Sequence, residues 1–234
     1  ANDFSLQLLA AIAYVVVMKL TGHIDTSLYI PYFGVEIELG FFYYLFALFI
    51  VTGMVNSVNL TDGIDGLASS VTFVIGGFFA VLAFYRFDLQ LSVVSAVLLG
   101  STLGFLIYNF HPARVFMGDT GSLTIGGIIG VIAILIHKEI LLILLCGIFV
   151  AENLSVIMQV AYFKQGKKKG VKQRIFRRTP LHHHYNVEDE KLDKECTYIF
   201  KGPEKPMHEA KITIRFWIVT IIMAVITLMT LKIR

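Results

Sequence analysis

Long apolar stretches separated by short polar runs form the main pattern of this chain. Seven stretches are each close to the roughly 20 residues that a helix needs to cross the hydrocarbon core of a bilayer. They cover about residues 4–20, 41–58, 67–86, 91–110, 122–137, 139–163 and 212–231. The pattern predicts an all-α, polytopic membrane helix bundle with seven spans, in which residues 1–234 form a single integral membrane domain.

The composition supports a membrane protein and indicates its orientation. Hydrophobic residues make up 56% of the chain and charged residues 16%, whereas about a quarter of the residues in an ordinary soluble domain are charged. The segment 164–211 holds thirteen of the twenty lysines and arginines. Because basic loops favour the cytoplasmic side, we expect 164–211 to be a large cytoplasmic loop. Counting back along the spans places the 56–66 and 111–121 segments in the cytoplasm too.

The first polar run, at 56–66, is dense in residues that bind ligands. It contains two asparagines, two aspartates and two glycines: Asn56, Asn59, Asp62, Gly63, Asp65 and Gly66. Asp62 and Asp65 are three residues apart, so on a helical turn their carboxylates would share one face. Capping of the next helix by Asp62 is the alternative, but it explains only one of the six residues.

A second run, at 116–122, places Asp119 where a helix is expected to open. The free N–H groups of a helix N-terminus suit a phosphate, although Asp119 as a plain N-cap is the commoner arrangement. Carboxylate and amide oxygens without a thiol favour a hard cation, Mg²⁺ above Zn²⁺.

The third run contains three consecutive histidines, His182, His183 and His184, soon after Arg177 and Arg178. A surface cluster without function is one interpretation. Imidazole and guanidinium groups that hold a diphosphate are the more attractive one.

Two further segments carry polar residues. Glu152, Ser155 and Gln159 form one polar stripe on a predicted membrane helix, where Gln159 would border the site and hydrogen bonding between helices is an equally open alternative. The basic stretch 167–178 is either solvated or lies on anionic headgroups, and no feature indicates a nucleic-acid partner. Together these groups indicate phosphoryl transfer between a cytosolic anion and a lipid-borne acceptor, with Mg²⁺ and cationic side chains screening the charges.

The three runs resemble the polyprenyl-phosphate N-acetylhexosamine-1-phosphate transferase superfamily. The shared motifs are Asn-x-x-Asn-Leu-x-Asp-Gly-x-Asp-Gly at 56–66 and Phe-x-Gly-Asp-x-Gly-Ser at 116–122. Within it, the stretch 174–185 and Arg215-Phe216-Trp217 resemble the bacterial phospho-N-acetylmuramoyl-pentapeptide-transferase family. The resemblance implies Mg²⁺-dependent transfer of phospho-N-acetylmuramoyl-pentapeptide from UDP to undecaprenyl phosphate at the cytoplasmic face of the bacterial plasma membrane. Lipid I and UMP would be the products, and a homodimer is possible within the family.

The resemblance also assigns roles to individual residues. Asp119 matches the Mg²⁺ ligand, with Asn59 as a helper, and Asp62 matches a required carboxylate. Phe116 matches the aromatic residue that stacks on uracil. The remaining matches are nucleotide, sugar or diphosphate contacts: Asn56, Gly63, Asp65, Asn109, His182, His183 and His184. The catalytic set that this implies is Asp62, Asp65, Asp119 and His182.

The sequence departs from the family pattern in one respect. The family has ten spans, and this chain resembles the last seven. No Asp-Asp pair occurs in the sequence, so the family's Asp-Asp-x-x-Lys motif is absent. The chain begins with Ala1 rather than Met, and we expect it to be a segment of a longer protein. The alternatives are an N-acetylglucosamine-1-phosphate transferase acting on the same lipid, a membrane transporter, and an inactive fragment.

Overall fold

The computed structural model of the chain describes residues 2–31, 33–86, 88–188, 192–193, 195–203 and 205–232. The long helices are α1 Asn2–Leu20, α2 Phe41–Thr61, α3 Leu67–Arg86, α4 Leu89–Asn109, α5 Gly118–Leu135, α7 Gly147–Lys168 and α9 Glu209–Lys232. The short helices are α6 Glu139–Leu145 and α8 Leu181–Asn186. An antiparallel hairpin joins β1 Ser27–Ile30 to β2 Val35–Glu38, and β3 Gln173–Arg174 pairs in parallel with β4 Thr197–Tyr198.

The prediction of an all-α, polytopic membrane fold is confirmed. Among the described residues, five helices, α2, α3, α4, α5 and α9, are long and apolar enough to cross a membrane. The apolar part of α1, Phe4–Leu20, is shorter. The number of seven spans therefore stays a prediction.

The span predicted over 139–163 is broken in the structure, where α6 and α7 together are long and apolar enough to form one bent span or a re-entrant loop. Helices α6 and α7 meet at Cys146 with a bend of 84°. Cys146 leaves the helical conformation, with φ −93° and ψ 24°. Gly147 then lets Met223 of α9 pack against the bend, where a Cβ would collide with the thioether.

Helix α2 lies at the centre of the bundle and contacts α1, α3, α5 and α7. Its approach to α5 is unusually close. A Cβ on Gly126 would lie 2.6 Å from Val55 Cα and 2.7 Å from Met54 O, and a Cβ on Gly130 would lie 3.2 Å from Val51 Cα. Small residues four positions apart let two membrane helices pack backbone to backbone. The glycine pair therefore sets the distance between α2 and α5.

The end of the bundle near the hairpin is also tied together by buried polar contacts. Glu139 is fully buried and accepts a hydrogen bond from the Tyr43 hydroxyl. The Lys138 ammonium lies 3.5 Å from the centre of the Tyr29 ring on β1. The first contact joins α2 to the start of α6, and the second joins the hairpin to it.

We expect Gly126→Ala to destabilise the fold, because the new methyl group meets backbone atoms that cannot move aside. Overpacking of this kind typically costs about 1–3 kcal/mol. The thermal midpoint can be followed through the reactivity of the buried Cys146 thiol in detergent.

Gly127→Ala is the matched control, since its Cβ would lie 3.8 Å from a Val55 methyl group, an ordinary contact. Alanine is the better helix former, so this variant should be neutral or more stable. Equal thermal midpoints for the two variants would contradict the packing argument.

Candidate functional site

The three polar runs lie together at one end of the bundle. The Asn59 side-chain amide at the end of α2 donates to Asp119 Oδ1 at 2.9 Å and to Ser122 Oγ at 3.0 Å, both in the first turns of α5. The His182 ring packs directly against Gly63. Groups that are about 60 and 120 positions apart in the sequence therefore border one region.

Asp62 and Asp65 point to different neighbours. Helix α2 ends at Thr61, and Asp62 is its C-cap, with the Asp62 N–H bonded to the carbonyls of Val58 and Asn59. The expectation that both carboxylates share one helical face is wrong, because the helix stops before the first of them. Asp62 is therefore the C-cap of α2 and not the N-cap of α3.

Asp62 lies beside the start of α5. Burial raises the pKa of its carboxyl to about 6, against the lowering effect of a hydrogen bond from the Gly118 backbone and with a smaller raising effect from Asp119. Among the described residues, neither the Asp62 nor the Asp119 carboxylate forms an ion pair with a basic side chain. The two carboxylates repel each other.

Asp119 is exposed and lies within the first turn of α5, whose N-cap is Met117. The alternative that Asp119 is only an N-cap is therefore wrong. A carboxylate in a first helical turn is stabilised by the helix dipole. The bond from Asn59 fixes its direction.

Asp65 secures the segment between α4 and α5. Its Oδ2 accepts from the Ala113 N–H at 3.0 Å and lies 2.9 Å from His111 Nδ1. The Asp65 carbonyl accepts from the Thr213 hydroxyl of α9 at 2.9 Å. Ligand atoms of Asp65, His111 and Glu209 lie within 4.8 Å of one another, but Asp65 is already paired. Its role as a contact to the base stays a prediction.

Two residues of that segment have opposite environments. Asn109 is buried, accepts from the Ser69 hydroxyl at 2.7 Å and donates to the Val115 carbonyl at 2.9 Å. Phe116 is 74% exposed, so its ring is free to stack on a planar ligand. Asn109 orients the segment that presents Phe116, and both assigned nucleotide contacts stay predictions.

Two other predicted substrate contacts, Asn56 and Gln159, form hydrogen bonds within the protein. Asn56 donates to Gln7 of α1 at 2.9 Å and to the Thr52 carbonyl at 2.7 Å. Gln159 accepts from the backbone N–H groups of Ile175 and Phe176, both at 3.0 Å, and donates to the Phe176 carbonyl at 3.0 Å. These bonds hold α1 and the basic loop in place, and the roles in substrate binding stay predictions.

The histidine run forms α8, and its three members differ. His182 is completely buried, whereas His183 is half-buried. Burial, and then the neighbouring His182, lower the pKa of His183 to about 4. His184 accepts from the Arg177 backbone N–H at 3.1 Å, and burial together with Arg177 lowers its pKa. His183 and His184 are therefore neutral near pH 7 and would meet a phosphate by hydrogen bonding, not by charge.

The donor set beside α5 fits a hard cation. The Asp119 and Asp62 carboxylates are neighbours, and their repulsion is what a divalent cation would relieve. The Asn59 amide nitrogen faces Asp119, so in this structure Asn59 orients a candidate ligand. Its role as a ligand itself stays a prediction.

Several positioning contacts are not evident from the sequence. They come from Gln7, Ser69, Ser122, Thr213 and the pair Asn153–Ser57, in which Asn153 donates to the Ser57 hydroxyl at 2.8 Å. Ser122 and Ser57 had a signal, because Ser122 closes the Gly-Asp-x-Gly-Ser motif and Ser57 lies in the 56–66 run. Ser69 and Thr213 lie in apolar spans, where an isolated hydroxyl is usually bonded to its own helix.

Comparison with known proteins identifies one family. The model of glycosyl transferase family 4 matches residues 3–137. The phospho-N-acetylmuramoyl-pentapeptide-transferase of Phocaeicola vulgatus is 50% identical over 205 residues, which cover 81% of this chain and 49% of that protein. The protein of the same name from Bacteroides thetaiotaomicron is 47% identical, covering 83% and 50%. That of Desulforapulum autotrophicum is 39% identical, covering 100% and 64%. The chain thus spans about half the length of the first two relatives.

We expect Gln159→Leu to release the loop at Ile175 and Phe176, because both N–H groups lose their acceptor. Amide hydrogen exchange, read by mass spectrometry, should become faster in a peptide covering these two residues. Gln159→Glu keeps the acceptor oxygens and loses only the donor, so its exchange should change less. Unchanged exchange in the leucine variant would refute the anchoring role.

We expect Asp62→Asn to stabilise the metal-free protein at pH 7. The folded-state pKa of Asp62 is raised above that of the unfolded chain, so ionisation of Asp62 opposes folding. The gain in stability over the wild type should shrink as the pH falls from about 6. It should vanish below about 4, where Asp62 is protonated in both the folded and the unfolded wild-type chain. Thermal midpoints of both proteins, measured across this pH range with a chelator present, test whether the substitution stabilises the fold. A less stable variant at pH 7 would contradict it.

Proposed function

The chain belongs to glycosyl transferase family 4, and on that premise we propose that it serves Mg²⁺-dependent transfer of phospho-N-acetylmuramoyl-pentapeptide from UDP to undecaprenyl phosphate. Lipid I and UMP are the products. Relatives that are 39–50% identical are phospho-N-acetylmuramoyl-pentapeptide-transferases by name, which supports this reaction. Because the chain covers about half of the first two relatives, the activity is proposed for the longer protein to which such a segment corresponds.

One observation carries the proposal: the contact between Asn59 and Asp119. It joins the two acidic runs at 2.9 Å and places the Asp62 carboxylate beside the start of α5. A nucleotide diphosphate needs cation screening at the point where a second phosphate approaches. Mg²⁺ held by Asp119 and Asp62 would neutralise charge on the diphosphate and on the departing UMP.

The chain's own residues supply binding and orientation. The exposed Phe116 ring offers a stacking surface for the uracil, and the free N–H groups at the start of α5 suit a phosphate. The half-buried His183 offers a neutral hydrogen-bonding group. The bond that forms joins an oxygen of undecaprenyl phosphate to the sugar-proximal phosphorus. The bond that breaks joins this phosphorus to the oxygen that leaves with UMP.

The proposal includes a location. The site end of the bundle adjoins the basic loop 164–211, and such loops favour the cytoplasm. We therefore place the site at the cytoplasmic face of the bacterial plasma membrane, where the UDP-linked donor is soluble and the acceptor lies in the bilayer. A homodimer stays a prediction.

In the full-length parent protein, Asp119→Asn should lower UMP release by about a hundredfold or more, because a preorganised charge is lost at the reacting phosphates. Release of labelled UMP from the UDP-linked donor is the measurement, with the Mg²⁺ concentration varied.

Thr124→Val is the control on the same helix. Thr124 is exposed, and its hydroxyl bonds only to the Thr120 carbonyl at 2.6 Å, so UMP release should be unchanged. Full activity in Asp119→Asn would overturn the metal assignment. A wild-type protein that moves the donor across vesicles without releasing UMP would identify a transporter instead.

A further inference from the structure

A buried carboxylate on α7 holds the histidine run in place, and we propose that Glu152 is a positioning residue for His182. The expected effect of Glu152 on kcat rests on the proposed function. The positioning of His182 by Glu152 does not, because it concerns contacts between residues of this chain.

Glu152 and His182 are both fully buried. The His182 backbone N–H donates to Glu152 Oε1 at 3.1 Å and lies 3.3 Å from Oε2. The His182 ring Nδ1 lies 3.2 Å from the same Oε1, although its orientation falls short of a hydrogen bond. One carboxylate thus bonds to the backbone of His182 and lies against its ring.

The opposite edge of the His182 ring meets the acidic turn. A Cβ on Gly63 would lie 2.8 Å from His182 Cε1 and closer still to Nε2. The ring is therefore wedged between Glu152 and the turn that separates Asp62 from Asp65. A displaced His182 would leave this turn without its support.

The cost of burying Glu152 argues for a specific role. A buried carboxylate destabilises a protein unless charges or hydrogen bonds compensate. The next residue, Asn153, forms the ordinary helix-to-helix bond, to Ser57 of α2. Glu152 instead bonds to the loop segment that carries the histidines. A helix is also a more rigid support than a loop, so α7 fixes the position of His182 through Glu152.

The first test needs no enzymatic activity. Diethyl pyrocarbonate should modify the half-buried His183 of the full chain in detergent and leave His182 unmodified, as mapped by mass spectrometry. Glu152→Gln has the same shape but no charge. We expect it to raise His182 modification by about tenfold, because losing a charged hydrogen-bond acceptor shifts local opening by about that factor.

Ser155→Ala is the matched control. Ser155 is buried on the same stripe, but its hydroxyl bonds only within α7, to the Glu152 carbonyl at 2.6 Å. His182 should stay protected in this variant. Glu152→Asp keeps the charge on a shorter side chain and should give an intermediate result, which also serves if Glu152→Gln fails to fold. Equal protection of His182 in wild type and both Glu152 variants would overturn the proposal.

The second test uses UMP release by the full-length parent. Glu152→Gln should lower kcat by up to about 100-fold, because a misplacement of about 1 Å at a reacting site can cost that much. The KM for the UDP-linked donor should stay within about twofold. In a His182→Asn background, Glu152→Gln should cause no further loss. If the two substitutions instead lower kcat by independent factors, Glu152 does not act through His182. A wild type that releases no UMP would refute the proposed function and leave the modification test to decide the positioning role.

Discussion

The close approach of α2 to α5 is the constraint on which the site depends. Gly126 faces Val55, Gly130 faces Val51, and one turn towards the site Ser122 meets Asn59. Each four-residue step along α5 is thus matched by a four-residue step back along α2. The bond from Asn59 to Asp119 continues the register that the glycines set within the apolar core. A wider spacing between the helices would separate these polar groups, so packing in the membrane interior fixes the geometry at its surface.

The bent helix α7 supplies a second constraint. Its buried residues Glu152 and Gln159 do not face lipid, because Glu152 bonds to the His182 backbone and Gln159 bonds to the backbone at 175–176. Polar groups inside a membrane protein are costly unless they are satisfied. Here they are satisfied by loop segments, so the cost of burial is offset by order in the loops.

Hydropathy predicted the long helices well, since a bilayer admits few alternatives to a helix of about 20 apolar residues. It could not predict the bend at Cys146, because residues 140–151 have an uninterrupted apolar pattern and the bend is packed by Met223 at Gly147. The sequence also indicated the right polar runs. The sequence did not predict the directions of the Asp62 and Asp65 side chains, because these depend on the end of α2 at Thr61.

The charges of the site explain why the proposed function includes a cation. The Asp62 and Asp119 carboxylates repel each other, and His183 is neutral near pH 7. These groups alone would repel a diphosphate, since none of the three is positive. A divalent cation held by Asp119 and Asp62 would reverse the sign of the local field and favour the ionised form of Asp62. Metal and nucleotide binding should therefore be coupled, each strengthening the other by the same factor. The raised pKa of Asp62 is the property expected of such a site before the cation binds.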